Sequence, residues 1–120
     1  MRIALIYAPW LEARAHTEDV VHPPMGLWFI ASCLAEAGHA VEVLNWHAEG
    51  RDLAAAEATL RALAPDLVGF TVLQANRFGA LDLARRAKAA LPGVRTVFGG
   101  VAATFLWKLF LEHYPDVDFV

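Results

Sequence analysis

The sequence predicts an α/β fold: a doubly wound sheet of five parallel strands in the order 2-1-3-4-5, with its final helix missing. Three observations carry this. Short apolar, β-branched runs recur at 2–7, 40–45, 67–72, 94–98 and 118–120. The stretches between them favour helix, and strands that alternate with helices make a parallel sheet covered on both faces. Gly38, Pro65-Asp66 and Pro92-Gly93 punctuate the pattern where helices should stop.

Arg2–Tyr7 is a short apolar run ending at Ala8-Pro9, the pattern of a buried strand. Residues 8–23 lack periodicity and predict a long loop, a feature usually reserved for function in a compact domain. Pro24 is suited to open a helix, which runs over Met25–Ala37 to a C-terminal glycine, Gly38. Ala40–Asn45 is the second strand, and Asp52–Leu63, rich in Ala, Leu, Glu and Arg, the second helix. Leu67–Val72 follows as the third strand. Asn76 or a neighbour caps a helix over Arg77–Leu91, whose late basic residues suit the helix dipole. Val94–Phe98 is the fourth strand, Ala102–His113 the fourth helix, and Asp118-Phe119-Val120 starts a fifth strand.

At 120 residues the chain fits one domain, 1–120, with a single core. Hydrophobic residues make up 58% and charged residues 19%, which excludes disorder. A net charge of −3 argues against a nucleic-acid partner. The single cysteine, Cys33, excludes a disulfide framework or an iron–sulfur cluster held by this chain alone, and suits a reducing cytoplasm. The longest apolar stretch, 101–111, is interrupted by Lys108 and is too short to span a bilayer. A doubly wound sheet of this order closes with a fifth helix. Its absence here, and the all-round apolar character of Phe105–Leu111, predict the front piece of a larger protein or a domain that docks on a partner. The isolated chain is then expected to self-associate.

Ligands of such sheets bind at the carboxyl ends of the strands, at the switch point between strands one and three. Here that rim comprises residues 8–24, 73–77 and 99–104. The third strand ends Thr71-Val72-Leu73-Gln74, without the acid of a phosphoryl-accepting receiver. Ala8-Pro9-Trp10-Leu11 is neither a flavodoxin phosphate loop nor a G-x-G-x-x-G dinucleotide fingerprint. What remains is a rim of few charges: Trp10, Met25, Gly26, Leu73, Gln74, Ala75, Gly99, Gly100 and Val101. It suits a large, flat, mostly apolar ligand, approached closely at the two glycines.

Three stretches together resemble the N-terminal cobalamin-binding domain of radical S-adenosylmethionine enzymes. Pro23-Pro24-Met25-Gly26-Leu27, leading to Leu34 and Gly38-His39-Ala40-Val41, is similar to that family's opening. Asp66–Thr71 resembles its third strand. Phe98-Gly99-Gly100 with Ala103-Thr104, then Pro115–Val120, is similar to its ending. Thr71-x-Leu73 and Gly99-Gly100 also match two of the three marks of cobalamin domains at large. The third, D-x-H-x-x-G after strand one, is absent.

The resemblance implies cobalamin bound base-off, with no histidine on cobalt. Thr71 and Gly99-Gly100 would line the slot for its dimethylbenzimidazole tail, and Leu73, Gln74, Ala75 and Asn76 would lie under the corrin. Trp10, Met25, Gly26, Val101 and Thr104 would complete the rim. The parent would be a methyltransferase that also uses S-adenosylmethionine and a [4Fe-4S] cluster, both held by a radical S-adenosylmethionine barrel absent from this sequence. Asn45–Gly50 has N-x-H-x-x-G spacing, but His47 follows strand two, away from the switch point. His22 sits beside Pro23-Pro24 in a turn, and His16 and His113 are solvated on this reading. The contrasting expectation is a docking domain of the same fold that binds no corrinoid.

Overall fold

The computed structural model describes residues 1–11, 23–49 and 52–120. Within them the elements run β1 (Arg2–Tyr7), α1 (Met25–Glu36), β2 (Ala40–Asn45), α2 (Leu53–Leu63), β3 (Leu67–Thr71), α3 (Arg77–Ala90), β4 (Arg95–Gly99) and α4 (Val101–His113). The four strands form one parallel sheet in the order β2-β1-β3-β4. Register aligns Tyr7 with Asn45 and Thr71, and Thr71 with Gly99, so the strands end together on one rim.

The predicted fifth strand is the main correction. Residues 118–120 contribute one parallel bridge, Val97 with Phe119, and not a ladder. Backbone bonds from Phe98 N–H to the Phe119 carbonyl (2.9 Å) and from Phe119 N–H to the Thr96 carbonyl (3.1 Å) hold it beside β4. Asp118 fastens the segment: its carboxylate accepts from Lys88 Nζ at 2.5 Å and from the Thr96 N–H at 2.7 Å. Burial pushes this carboxyl up, but the bonds from Lys88 and Thr96 and the lysine's charge outweigh it and hold the group below its ordinary value.

The two faces of the sheet differ. Alternate residues Ala4, Ile6, Val68, Phe70 and Phe98 face one side, where α2, α3 and α4 bury them beneath Leu60, Leu83, Ala103 and Phe110. Phe98 lies between Phe70 and Phe110, edge to face with each at a centroid distance of 5.3 Å. The opposite side carries Ile3 and Leu5 under Leu27 of α1, with Ala31 and Leu34 partly buried beside them. Among the described residues only α1 covers that side.

Local chemistry sets the boundaries. Gly38, at φ +86°, turns the chain out of α1, while its N–H and that of His39 satisfy the Ala35 and Leu34 carbonyls. Asp52 caps α2 through the Ala55 N–H at 2.7 Å. Asn76 precedes α3 but makes no side-chain cap; its amide turns back into the β3–α3 loop. Helix α4 is kinked at Leu106 (φ −111°, ψ 16°) and buries only one side. Phe105, 81% exposed, and Trp107, Leu109 and Leu111 face outward. Helix α1 likewise exposes Met25, Trp28 and Phe29, a second apolar surface the sequence analysis did not single out. Among the described residues no helix is long and apolar enough to cross a membrane.

Candidate functional site

On the α1 side, no helix among the described residues lies over the β3–β4 half of the sheet. Residues of even spacing point there: Leu67, Gly69 and Thr71 from β3, Val97 and Gly99 from β4. Leu5 of β1 and the Gly26, Ile30 and Leu34 flank of α1 form the wall. Together they enclose a groove of about 350 Å³ that opens towards the rim at Gly100. Among the described residues no lining side chain ionises, and the one polar side chain is that of Thr71.

The glycines do different work. At Gly69, mid-strand, a Cβ would come within 2.8 Å of Leu5 Cδ2, so its absence lets the groove floor lie flat. A Cβ at Gly99 would meet nothing nearer than the Phe70 carbonyl oxygen at 4.0 Å, so its missing side chain is open groove. Gly100 is strained for any other residue. Its φ is +92°, and a Cβ would lie 3.0 Å from both the Val72 nitrogen and oxygen and 3.1 Å from Thr71 Oγ1. That turn brings the Ala102 N–H onto the Val72 carbonyl at 3.0 Å and ties α4 to the end of β3.

The remaining rim residues sort by what their side chains already do. Asn76 is 0% exposed; its Oδ1 accepts the Leu73 N–H at 2.7 Å and its Nδ2 donates to the Thr71 carbonyl at 2.9 Å. It shapes loop 73–76 from inside and is not presented to a ligand. Gln74 is exposed at the tip, with Leu73 and Ala75 half-buried beside it. The Thr104 hydroxyl donates to the Gly100 carbonyl at 3.0 Å, within the first turn of α4. Met25 and Val101 are exposed outside the groove. Trp10 turns towards β2, where its ring stacks on His47 at 4.4 Å between centroids, and His47 also meets Tyr7 at 5.7 Å.

Of the residues expected at the site, the structure therefore gathers Gly26, Thr71, Gly99 and Gly100 around one groove. Trp10, Met25, Leu73, Gln74, Ala75, Asn76, Val101 and Thr104 lie outside its lining. The sequence reading missed Leu5, Ile30, Leu34, Leu67, Gly69 and Val97. Gly69, a lone glycine inside an apolar strand, was the available signal for a close approach. His16 and His22 fall outside the described residues. Charge sits elsewhere. Asp82 bonds Arg86 at 2.7 Å and Arg85 at 2.6 Å on the α2–α3 side. Burial raises its carboxyl, and those two guanidinium groups more than reverse the effect.

The chain is 29% identical, over all 120 residues, to an uncharacterized methyltransferase of Pyrococcus horikoshii, spanning 26% of that protein. It is 36% identical over 92 residues to the hopanoid C-3 methylase of Methylococcus capsulatus, covering 75% of this chain and 17% of that one. It thus spans about a quarter or less of the curated relatives it matches. Its fold superposes on the radical S-adenosylmethionine methyltransferase TsrM of Kitasatospora setae, solved with cobalamin and a [4Fe-4S] cluster bound. The TM-score is 0.73 at 17% identity, over 94% of this chain and 20% of that one. The family model described as "B12 binding domain" matches residues 13–120, and with nine-tenths of its length inside that match the chain belongs to the B12-binding domain family.

Proposed function

We propose that this chain binds cobalamin base-off, with the nucleotide tail in the groove between α1 and the β3–β4 floor and the corrin over the rim. The observation that carries this is the groove floor: Gly99 leaves space that a side chain would fill, Gly69 lets Leu5 lie close against the strand, and the walls carry no ionisable group among the described residues. The uncharged aromatic base at the end of the tail fits such a space, with the anionic phosphate of the tether left towards the mouth, and an ionised ring does not. Thr71, at the mouth, offers its hydroxyl to the tail. Bound there, the cofactor supplies a cobalt that can carry a methyl group.

The chain's own residues bind and orient. Gly99 and Gly100 admit the tail, and Asn76 holds loop 73–76 in shape so that Leu73, Gln74 and Ala75 lie beneath the corrin. Met25, Val101 and Trp10 border the rim, and Thr104 steadies the turn at Gly100. Trp10 holds His47 in a stack on the β2 side, and no histidine lines the groove among the described residues. None of the described groove residues would then supply cobalt with a ligand. The domain, residues 1–120, is the front module of a radical S-adenosylmethionine enzyme, a methyltransferase, whose barrel holds S-adenosylmethionine and the [4Fe-4S] cluster. The outward apolar side of α4 suits contact with that barrel or, without it, self-association. The same surface favours a second reading, a docking domain that binds no corrinoid.

Titration with hydroxocobalamin, followed by equilibrium dialysis and absorption spectroscopy, decides between them. Saturable one-to-one binding with a shifted spectrum supports the cofactor module. Unshifted spectra and no retained corrinoid at high micromolar concentration leave the docking domain.

A further inference from the structure

We infer that the groove selects among corrinoids by their lower base, taking a benzimidazole or other apolar ring and rejecting a purine. This rests on the proposed tail-in-groove binding. The floor and wall that a base would meet are Leu5, Leu67, Val97, Gly69 and Gly99, with the Thr71 hydroxyl as the one polar side-chain atom among the described residues.

The backbone near the mouth is already committed. The Thr71 carbonyl accepts from Asn76 Nδ2 at 2.9 Å, and the Val72 carbonyl from the Ala102 N–H at 3.0 Å. The Gly99 carbonyl accepts from the Val72 N–H at 2.7 Å. The Gly100 carbonyl accepts from both the Thr104 N–H and hydroxyl at 3.0 Å. Deeper in, β3 and β4 pair residue for residue from Leu67–Arg95 to Thr71–Gly99, so the floor's amides are spent in the ladder. An adenine base brings an exocyclic amine and three ring acceptors. One hydroxyl satisfies at most a part of them, and each buried group left without a partner costs affinity. A dimethylbenzimidazole or a phenol ring places hydrocarbon against hydrocarbon instead. The groove therefore discriminates by what a purine leaves unpaired, the stronger form of selectivity.

The test measures dissociation constants of the full chain for three probes: cobalamin, the adeninyl cobamide, and cobinamide, which lacks the nucleotide. The expected result is cobalamin tightest, with the adeninyl cobamide weaker by about tenfold or more, the effect of one unpaired buried donor. Cobinamide should fall at least as far behind. One variant guards against a folding artefact: Val97→Thr keeps the shape of the floor and adds a hydroxyl. It should narrow the cobalamin-to-adeninyl ratio at least threefold, whereas a merely structural change would weaken both alike. Equal affinity for cobalamin and the adeninyl cobamide, with cobinamide weaker than both, overturns the selectivity and leaves the tail in the groove. Cobinamide binding as tightly as cobalamin, or no corrinoid binding at all, overturns the tail-in-groove reading itself.

Discussion

Gly99→Leu should close the groove without unfolding the protein. The backbone at Gly99 lies outside the left-handed region, and a Cβ built there has 4.0 Å of clearance to its nearest neighbour. A side chain is therefore tolerated, and it projects on the same face as Val97, into the groove. A leucyl side chain displaces on the order of 100 Å³ at native packing density. Set against a groove of about 350 Å³, that is a large obstruction at its rim end. Burying one face-and-edge set of a benzimidazole-sized ring, roughly 150 Å², is worth about 4 kcal/mol. Losing half of it predicts a fall in cobalamin affinity of about 2 kcal/mol, or near thirtyfold. Thermal unfolding should stay within about 1 kcal/mol of the parent, because replacing a strand glycine lowers the entropy of the unfolded chain. Gly100→Ala is the contrast: with φ at +92° and the Val72 backbone 3.0 Å from the new Cβ, it should cost about 1–3 kcal/mol of folding stability. Unchanged cobalamin affinity in a folded Gly99→Leu protein would refute the placement of the tail.

Other substitutions probe the parts around the groove. Gly79→Ala drives a Cβ into the Pro9 carbonyl, a backbone atom and not a flexible side-chain end, and should cost about 1–3 kcal/mol in urea unfolding despite better helix propensity. Asp118→Asn should lower stability at neutral pH by about 1–3 kcal/mol, through lost charge-assisted bonds to Lys88 and Thr96. Because the folded carboxyl is held below its ordinary value of 3.8, its contribution is complete above that pH and is lost as pH falls through the folded value. The parent and Asp118→Asn should thus converge in stability under acid, as measured by pH-dependent denaturation. His47→Ala should leave the spectrum of bound cobalamin unchanged, since His47 is stacked on Trp10 and away from the groove. A changed spectrum would make His47 a ligand.

Hydrophobic period and turn residues made the sheet legible. Arg2–Tyr7 and Ala40–Asn45 agree with β1 and β2 at both ends, and the helices agree to within a residue. The fifth strand failed because an apolar run signals a strand only when enough residues pair, and Phe119 alone does so. Asn76 illustrates a different limit. Its position before α3 suggested a cap, but the same amide satisfied two backbone groups of the preceding loop, a choice among partners that one-dimensional spacing does not distinguish. At the site, Thr71, Gly99 and Gly100 were visible because loops after parallel strands form the rim. The rest of the groove was not, because Leu5, Ile30 and Val97 are ordinary core types whose role follows from which side of the sheet lacks a second helix among the described residues. Gly99 and Gly100 were indistinguishable in sequence; only their dihedral angles separate an open position from a strained turn.

Electron paramagnetic resonance of the protein mixed with cob(II)alamin tests the central claim most directly. At neutral pH the free cofactor carries its own benzimidazole nitrogen on cobalt, and that nitrogen splits the cobalt lines. Binding with the tail drawn into the groove, and no histidine supplied, predicts a stoichiometric change to a spectrum without nitrogen splitting. Persistent splitting, whether from unbound cofactor or from a protein nitrogen on cobalt, would contradict it.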